Sequence, residues 1–169
     1  AKFIVPPAVY EKLVGDYPNQ LKVIKNDEMH NQDGVSIHAI PMYNLPEEEN
    51  AKHPKGRGNG YLLNLGGKVI YISGDTVLTD DVKRALNELK PDITVVAAGR
   101  ARMDVGQPLL MSIDEVMEFI HLSPNKVIAN HMEALNHCAV TRPILKEAID
   151  KNGLSDKVLI PADGETLEF

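Results

Sequence analysis

The chain has 169 residues, 43% of them hydrophobic, enough to bury the core of one domain or of one lobe of something larger, which excludes disorder and a fibrous class. A formal charge of -6 and a pI near 5.5 repel phosphate backbones and anionic membrane surfaces, and no Lys/Arg block supplies a local exception, so nucleic-acid and membrane partners are not expected. No apolar run approaches the roughly 20 residues of a membrane span, and the single cysteine, Cys138, cannot form an internal disulfide, in keeping with a reducing, cytoplasmic setting.

In chain order, "KFIV" predicts a short strand, stopped by Pro6-Pro7, which open a helix over "AVYEKLVG" closed by Gly15. "LKVIK" and "VSIHAIP" follow as strands. Between Met42 and Asn59 comes a long polar stretch, "MYNLPEEENAKHPKGRGN", read as a functional loop. "GYLLNL" and "KVIYIS" flank Gly66-Gly67 and predict a β-hairpin. "TDDVKRALNELK" is an amphipathic helix with acids at its start, and "DITVVAA" is a strand of the buried type. "SIDEVMEFIHL" is a helix opened by Ser112 with Glu115 at capping-box spacing, and "KVIAN" is another strand. "TRPILKEAIDKNG" is a helix stopped by Gly153, and "KVLI" and "TLEF" read as closing strands around an Asp163-Gly164 turn. Strand-length and helical periods alternate, which predicts an α/β or α+β lobe with a mixed sheet over residues 1–169, a single unit.

Two strands end in groups that can carry chemistry. "IYISGDT" presents Asp75 immediately after Gly74, and "KVIANHMEALNHC" presents His131 at the end of its own strand. Taken alone, Asp75 reads equally well as a turn residue capping the next helix, and His131 as a structural histidine. Delivered together from neighbouring strand ends they form half of a metal site, because zinc accepts imidazole nitrogen and carboxylate oxygen alike. His53, in "HPKGRGNGY", is a third candidate whose loop precedes the hairpin that ends at Asp75. Gly56-x-Gly58-x-Gly60 has the wrong spacing for a dinucleotide fingerprint and reads as loop geometry. His30, His38 and His121 read as structural or exposed. His137 and Cys138 lack the second Cys/His pair of a zinc signature, and no Gly-x-Ser-x-Gly elbow supports a serine hydrolase.

The order "HPKGRGNGY", "IYISGDT", "VIANHMEALNH" resembles the C-terminal half of a metallo-β-lactamase-fold metal-dependent hydrolase, over almost the whole chain. The resemblance implies an αββα sandwich with helices on the outer face of each sheet and one or two metals, usually zinc, with manganese or iron as alternatives. It implies metal-ligand and catalytic roles for Asp75 and His131, and a metal-activated water attacking a small-molecule ester, lactone, amide or phosphodiester. Two departures stand out. Where relatives carry a ligand histidine after the strand "HAIPMYN" this chain has Asn44, for which His53 is the candidate replacement, and the family's His-x-His-x-Asp-His motif is absent. The expectation is therefore a second half that is inactive alone and partners its missing N-terminal half or a copy of itself. The alternative is a non-catalytic binding or scaffolding lobe that keeps the fold without metal chemistry.

Overall fold

The computed structural model describes residues 2–43, 58–102, 109–133 and 135–169. Asn44, His53, Gly56 and most of the stretch read as a loop between Met42 and Asn59 lie outside them.

Strand β1 (Phe3–Val5) runs into helix α1 (Pro7–Leu13), whose first position is the proline, and returns as β2 (Leu21–Val23) parallel to β1. The rest is one seven-stranded mixed sheet in the order β3 (Met29–Gln32), β4 (Val35–Met42), β5 (Gly58–Leu65), β6 (Lys68–Ile72), β7 (Ile93–Ala97), β8 (Lys126–Asn130), β9 (Val158–Leu159). β3 to β6 are antiparallel neighbours, and β6 to β9 are parallel. The parallel strands need crossovers, and helices α2 (Asp80–Leu89), α3 (Ile113–Leu122) and α4 (Arg142–Lys151) supply them.

Local chemistry explains each helix boundary. Thr79 caps α2 by accepting from the Val82 N–H at 3.3 Å. Ser112 and Glu115 form the reciprocal capping box at 3.2 and 2.8 Å. Thr141 caps α4, which ends before Gly153 at φ 67°.

Strand alternation sorts the sheet into two faces. Leu62, Tyr71, Thr94, Val127 and Val158 are register partners, and all but Leu62 are buried, in the layer beneath α2, α3 and α4. There Tyr71 stacks on Phe119 with ring centroids 6.4 Å apart, and Leu86, Val96, Ile120 and Leu145 complete the core that α2, α3 and α4 form on this face. The adjacent row, Tyr61, Ile72, Val95, Ile128 and Leu159, faces the other way and is partly exposed.

Three expectations change. Met29–Gln32 pairs with β4 across an Asp33-Gly34 turn, both residues at positive φ, although "MHNQ" lacks the β-branched residues that mark a strand. "TLEF" forms no strand: β9 pairs over only two residues, and the segment after Gly164 is mostly exposed and unpaired. β5 starts at Gly58, two residues before the predicted strand "GYLLNL", so Gly58 and Gly60 of the glycine pattern lie in a strand. A Cβ on Gly60 would stand 2.9 Å from the Ser73 carbonyl oxygen, so close backbone packing requires glycine there, whereas one on Gly58 would meet only the mobile end of the Met42 side chain.

Candidate metal centre

Asp75 follows the carboxyl end of β6, and His131 follows the carboxyl end of β8, with the end of β7 between them. Parallel α/β sheets bind ligands at that edge.

Asp75 is held by its neighbours. Ser73 is buried and donates its N–H to the Val95 carbonyl at 3.0 Å. Gly74 turns the chain at φ 65°, and any Cβ there would stand 2.6 Å from Met42 Sδ. Thr76 is buried, its Oγ1 accepting from the Tyr43 N–H at 3.1 Å, while the Val77 N–H donates to the Tyr43 carbonyl at 2.9 Å. Asp75 therefore projects from a segment bonded on both sides, with its side chain about half exposed. It does not cap α2, since Thr79 does.

His131 takes a left-handed conformation at φ 57° as the chain leaves β8. Its Nε2 lies 3.5 Å from Asp75 Oδ2, and its Nδ1 lies 3.7 Å from Cys138 Sγ. Cys138 is kept there by a short antiparallel bridge to Ala101, by the Val140 N–H bonding to the Gly99 carbonyl at 3.0 Å, and by the Arg102 N–H bonding to the His137 carbonyl at 3.2 Å. Burial pushes the Cys138 thiol above its ordinary pKa, against the Leu135 backbone hydrogen bond, and the Asp75 carboxylate pushes it further up. The group under the imidazole is thus a neutral thiol. Ala129, Asn130, His131, Met132 and Arg142, with the 161–164 turn, line a cleft of about 290 Å³ beside the histidine.

Asp75 and His131, paired from the sequence, are brought together by the fold, whereas the surrounding Cys138 contact, Gly99, Glu133 and Arg142 are not singled out there. Gly99 had a signal, since "VVAAG" repeats the strand-then-glycine grammar of "IYISG". The others are long-range contacts with none. His137 is not placed against the pair by any hydrogen bond of its side chain.

The Asp75–His131 spacing decides whether a metal fits. A charge-assisted hydrogen bond closes to about 2.7–2.9 Å, so 3.5 Å is long for one. Two donors each about 2.0–2.2 Å from a tetrahedral zinc stand about 3.4 Å apart. The pair fits two corners of such a site. Among the described residues no group of three or more His, Cys, Asp or Glu side chains could hold a metal ion.

Comparison with known proteins bears on the fold. The chain superposes with a TM-score of 0.86 on an isothiocyanate hydrolase from Delia radicum gut bacteria, at 30% identity over 98% of this chain and 66% of that one. It superposes with a TM-score of 0.69 on the metallo-β-lactamase-fold protein YhfI from Bacillus subtilis, at 13% identity over 98% of this chain and 64% of that one. The chain carries the metallo-β-lactamase fold. Among curated proteins it is 35% identical over 159 residues to UPF0173 protein YddR of Bacillus subtilis, covering 86% of this chain and 59% of that protein. It is 27% identical to a UPF0173 metal-dependent hydrolase of Thermococcus onnurineus, over 100% of this chain and 71% of that one. The chain is thus similar to UPF0173 proteins, some of them named metal-dependent hydrolases, and it spans about three fifths of the length of the first of these two relatives. No protein-family profile matches the chain. Among the described residues no helix is long and apolar enough to cross a membrane.

Proposed function

We propose that the protein is a small-molecule hydrolase whose metal, zinc in the first instance, is held in part by Asp75 and His131. The observation that carries this is the 3.5 Å approach of Oδ2 to Nε2 at the carboxyl edge of the parallel strands. When the ion is bound, the chemistry it supplies is acidification of a water and polarisation of the substrate. Asp75 contributes charge that balances the cation and leaves the site open to solvent on its half-exposed side. His131 contributes an imidazole nitrogen, with the Cys138 thiol, held above its ordinary pKa by burial, behind its ring. Further ligands, His53 among the candidates, belong to residues beyond those described.

The substrate carries an electrophilic carbon or phosphorus: an ester, lactone, amide or phosphodiester, or the isothiocyanate group that the relative with a TM-score of 0.86 is named for. The partly exposed row Tyr61, Ile72, Val95, Ile128 and Leu159 is, in this reading, covered by a second sheet or by a second copy of the chain. A cytoplasmic location is part of the proposal and is supported by the lone thiol, which cannot form an internal disulfide. A purely scaffolding role is disfavoured by Asp75, which serves no helix cap and meets only His131 among described charged groups.

Chelation tests the proposal. The full-length protein stripped of metal should lose turnover of an aryl isothiocyanate or a generic ester and regain it with zinc, manganese or ferrous iron. Undiminished turnover after exhaustive metal removal would refute a metal-dependent reaction.

A further inference from the structure

His131 and Glu133 are both non-glycine residues in the left-handed region, at φ 57° and 64°, on either side of Met132. Such a pair costs free energy and persists only when its surroundings over-determine it. One determinant is Met132, which is 5% exposed and anchored in the core. The other is the Glu133 carboxylate. Its Oε1 accepts the backbone N–H of Arg142 at 3.1 Å, and its Oε2 pairs with the Arg142 guanidinium.

Arg142 is the first residue of α4, where a backbone N–H has no partner within the helix and the helix dipole favours a carboxylate. The same guanidinium donates from Nε to the Pro161 carbonyl at 3.0 Å and pairs with Asp163. Arg142 and Glu133 side chains are only 28% and 35% exposed, whereas Asp163 is 93% exposed. Both arms of the clamp reach solvent, the Asp163 arm far more than the Glu133 arm.

We propose that Glu133 is a positioning residue for His131, acting through Arg142: the clamp fixes the turn that aims the imidazole at Asp75. This rests on the reading of His131 as a metal ligand.

One cation holding two carboxylates makes the test, in the full-length protein, with Glu133→Gln, Glu133→Gly and Asp163→Asn. Glu133→Gln keeps the shape and loses the charge. Glu133→Gly relieves the strain of positive φ and loses the carboxylate. Asp163→Asn loosens the same arginine at its other carboxylate, which makes no bond to the 131–133 turn. The readouts are zinc affinity by competition with a chromophoric chelator, the thermal midpoint, and the His131 ring signals in ¹⁵N-edited spectra of metal-free protein. Both Glu133 variants should weaken zinc on the order of tenfold and move the ring signals, while Asp163→Asn leaves zinc affinity within about twofold and the signals in place. Zinc affinity within about twofold in both Glu133 variants, with unmoved signals, would overturn the inference. So would an Asp163→Asn loss equal to that of Glu133→Gln, because the arginine would then be stabilising the fold in general. If the wild type holds no zinc the metal reading falls, and the ring signals alone then decide the clamp: a shift in the Glu133 variants supports it and no shift overturns it.

Discussion

Alanine at position 99 is expected to lower the thermal midpoint by about 6–12 °C, from about 3 kcal/mol of overpacking at about 2–4 °C per kcal/mol for a chain of this size. A Cβ on Gly99 would stand 2.1 Å from the carbonyl oxygen of His131 and 3.2 Å from Cβ and Sγ of Cys138. The first contact is with backbone, so no flexible side chain can swing aside. The second is with the residue that supports the imidazole from behind. Relief requires the end of β7 and the His131 turn to part, which strains the Gly99–Val140 hydrogen bond and moves Nε2 away from Asp75. Zinc affinity should therefore fall together with stability. Gly15→Ala is the control: its Cβ would meet nothing within 4 Å, and the lost chain entropy of a glycine makes that change neutral or stabilising by up to about 1 kcal/mol. Thermal melts of both variants check the pair, and a Gly99→Ala midpoint within about 2 °C of wild type would mean that the strand end yields where the packing says it cannot.

Asp75→Ala should separate what Gly99→Ala combines. The carboxylate is about half exposed and forms no backbone hydrogen bond or helix cap, so its removal costs the fold little. The expected midpoint stays within about 2 °C of wild type. Metal binding loses a ligand and a compensating charge. Removing an outer support of a ligand already costs about 10–100-fold, so the expected loss of zinc affinity is on the order of 100-fold or more, equivalent to about 2.8 kcal/mol. Isothermal titration of the full-length variant beside wild type reads this directly. Unchanged affinity would return Asp75 to the role of an ordinary turn residue.

What the sequence made legible follows the range of the interactions involved. Helix starts are written in adjacent residues, and Thr79, Ser112 with Glu115, and Thr141 all cap the helices they precede. The hairpin at Gly66-Gly67 is equally local. Asp75 and His131 could be paired before any coordinates because two strands end in the same grammar, and parallel strands bring such ends to one edge. β3 was hidden because pairing with β4 and the Asp33-Gly34 turn, rather than intrinsic propensity, makes "MHNQ" a strand. The supports of His131 were hidden for a related reason. Gly99 meets it from 32 positions away, and Glu133 is fixed by an arginine nine residues on that belongs to another element. Such contacts depend on how α4 crosses back over the sheet, which no window of sequence encodes.

The central claim is that Asp75 and His131 share one metal ion. Crystals of the full-length protein grown with zinc and measured above and below the zinc absorption edge test it most directly. The expected result is an anomalous peak about 2.0–2.2 Å from both Asp75 Oδ2 and His131 Nε2. A fully occupied zinc elsewhere, with the carboxylate and the imidazole joined by a direct hydrogen bond, would contradict it.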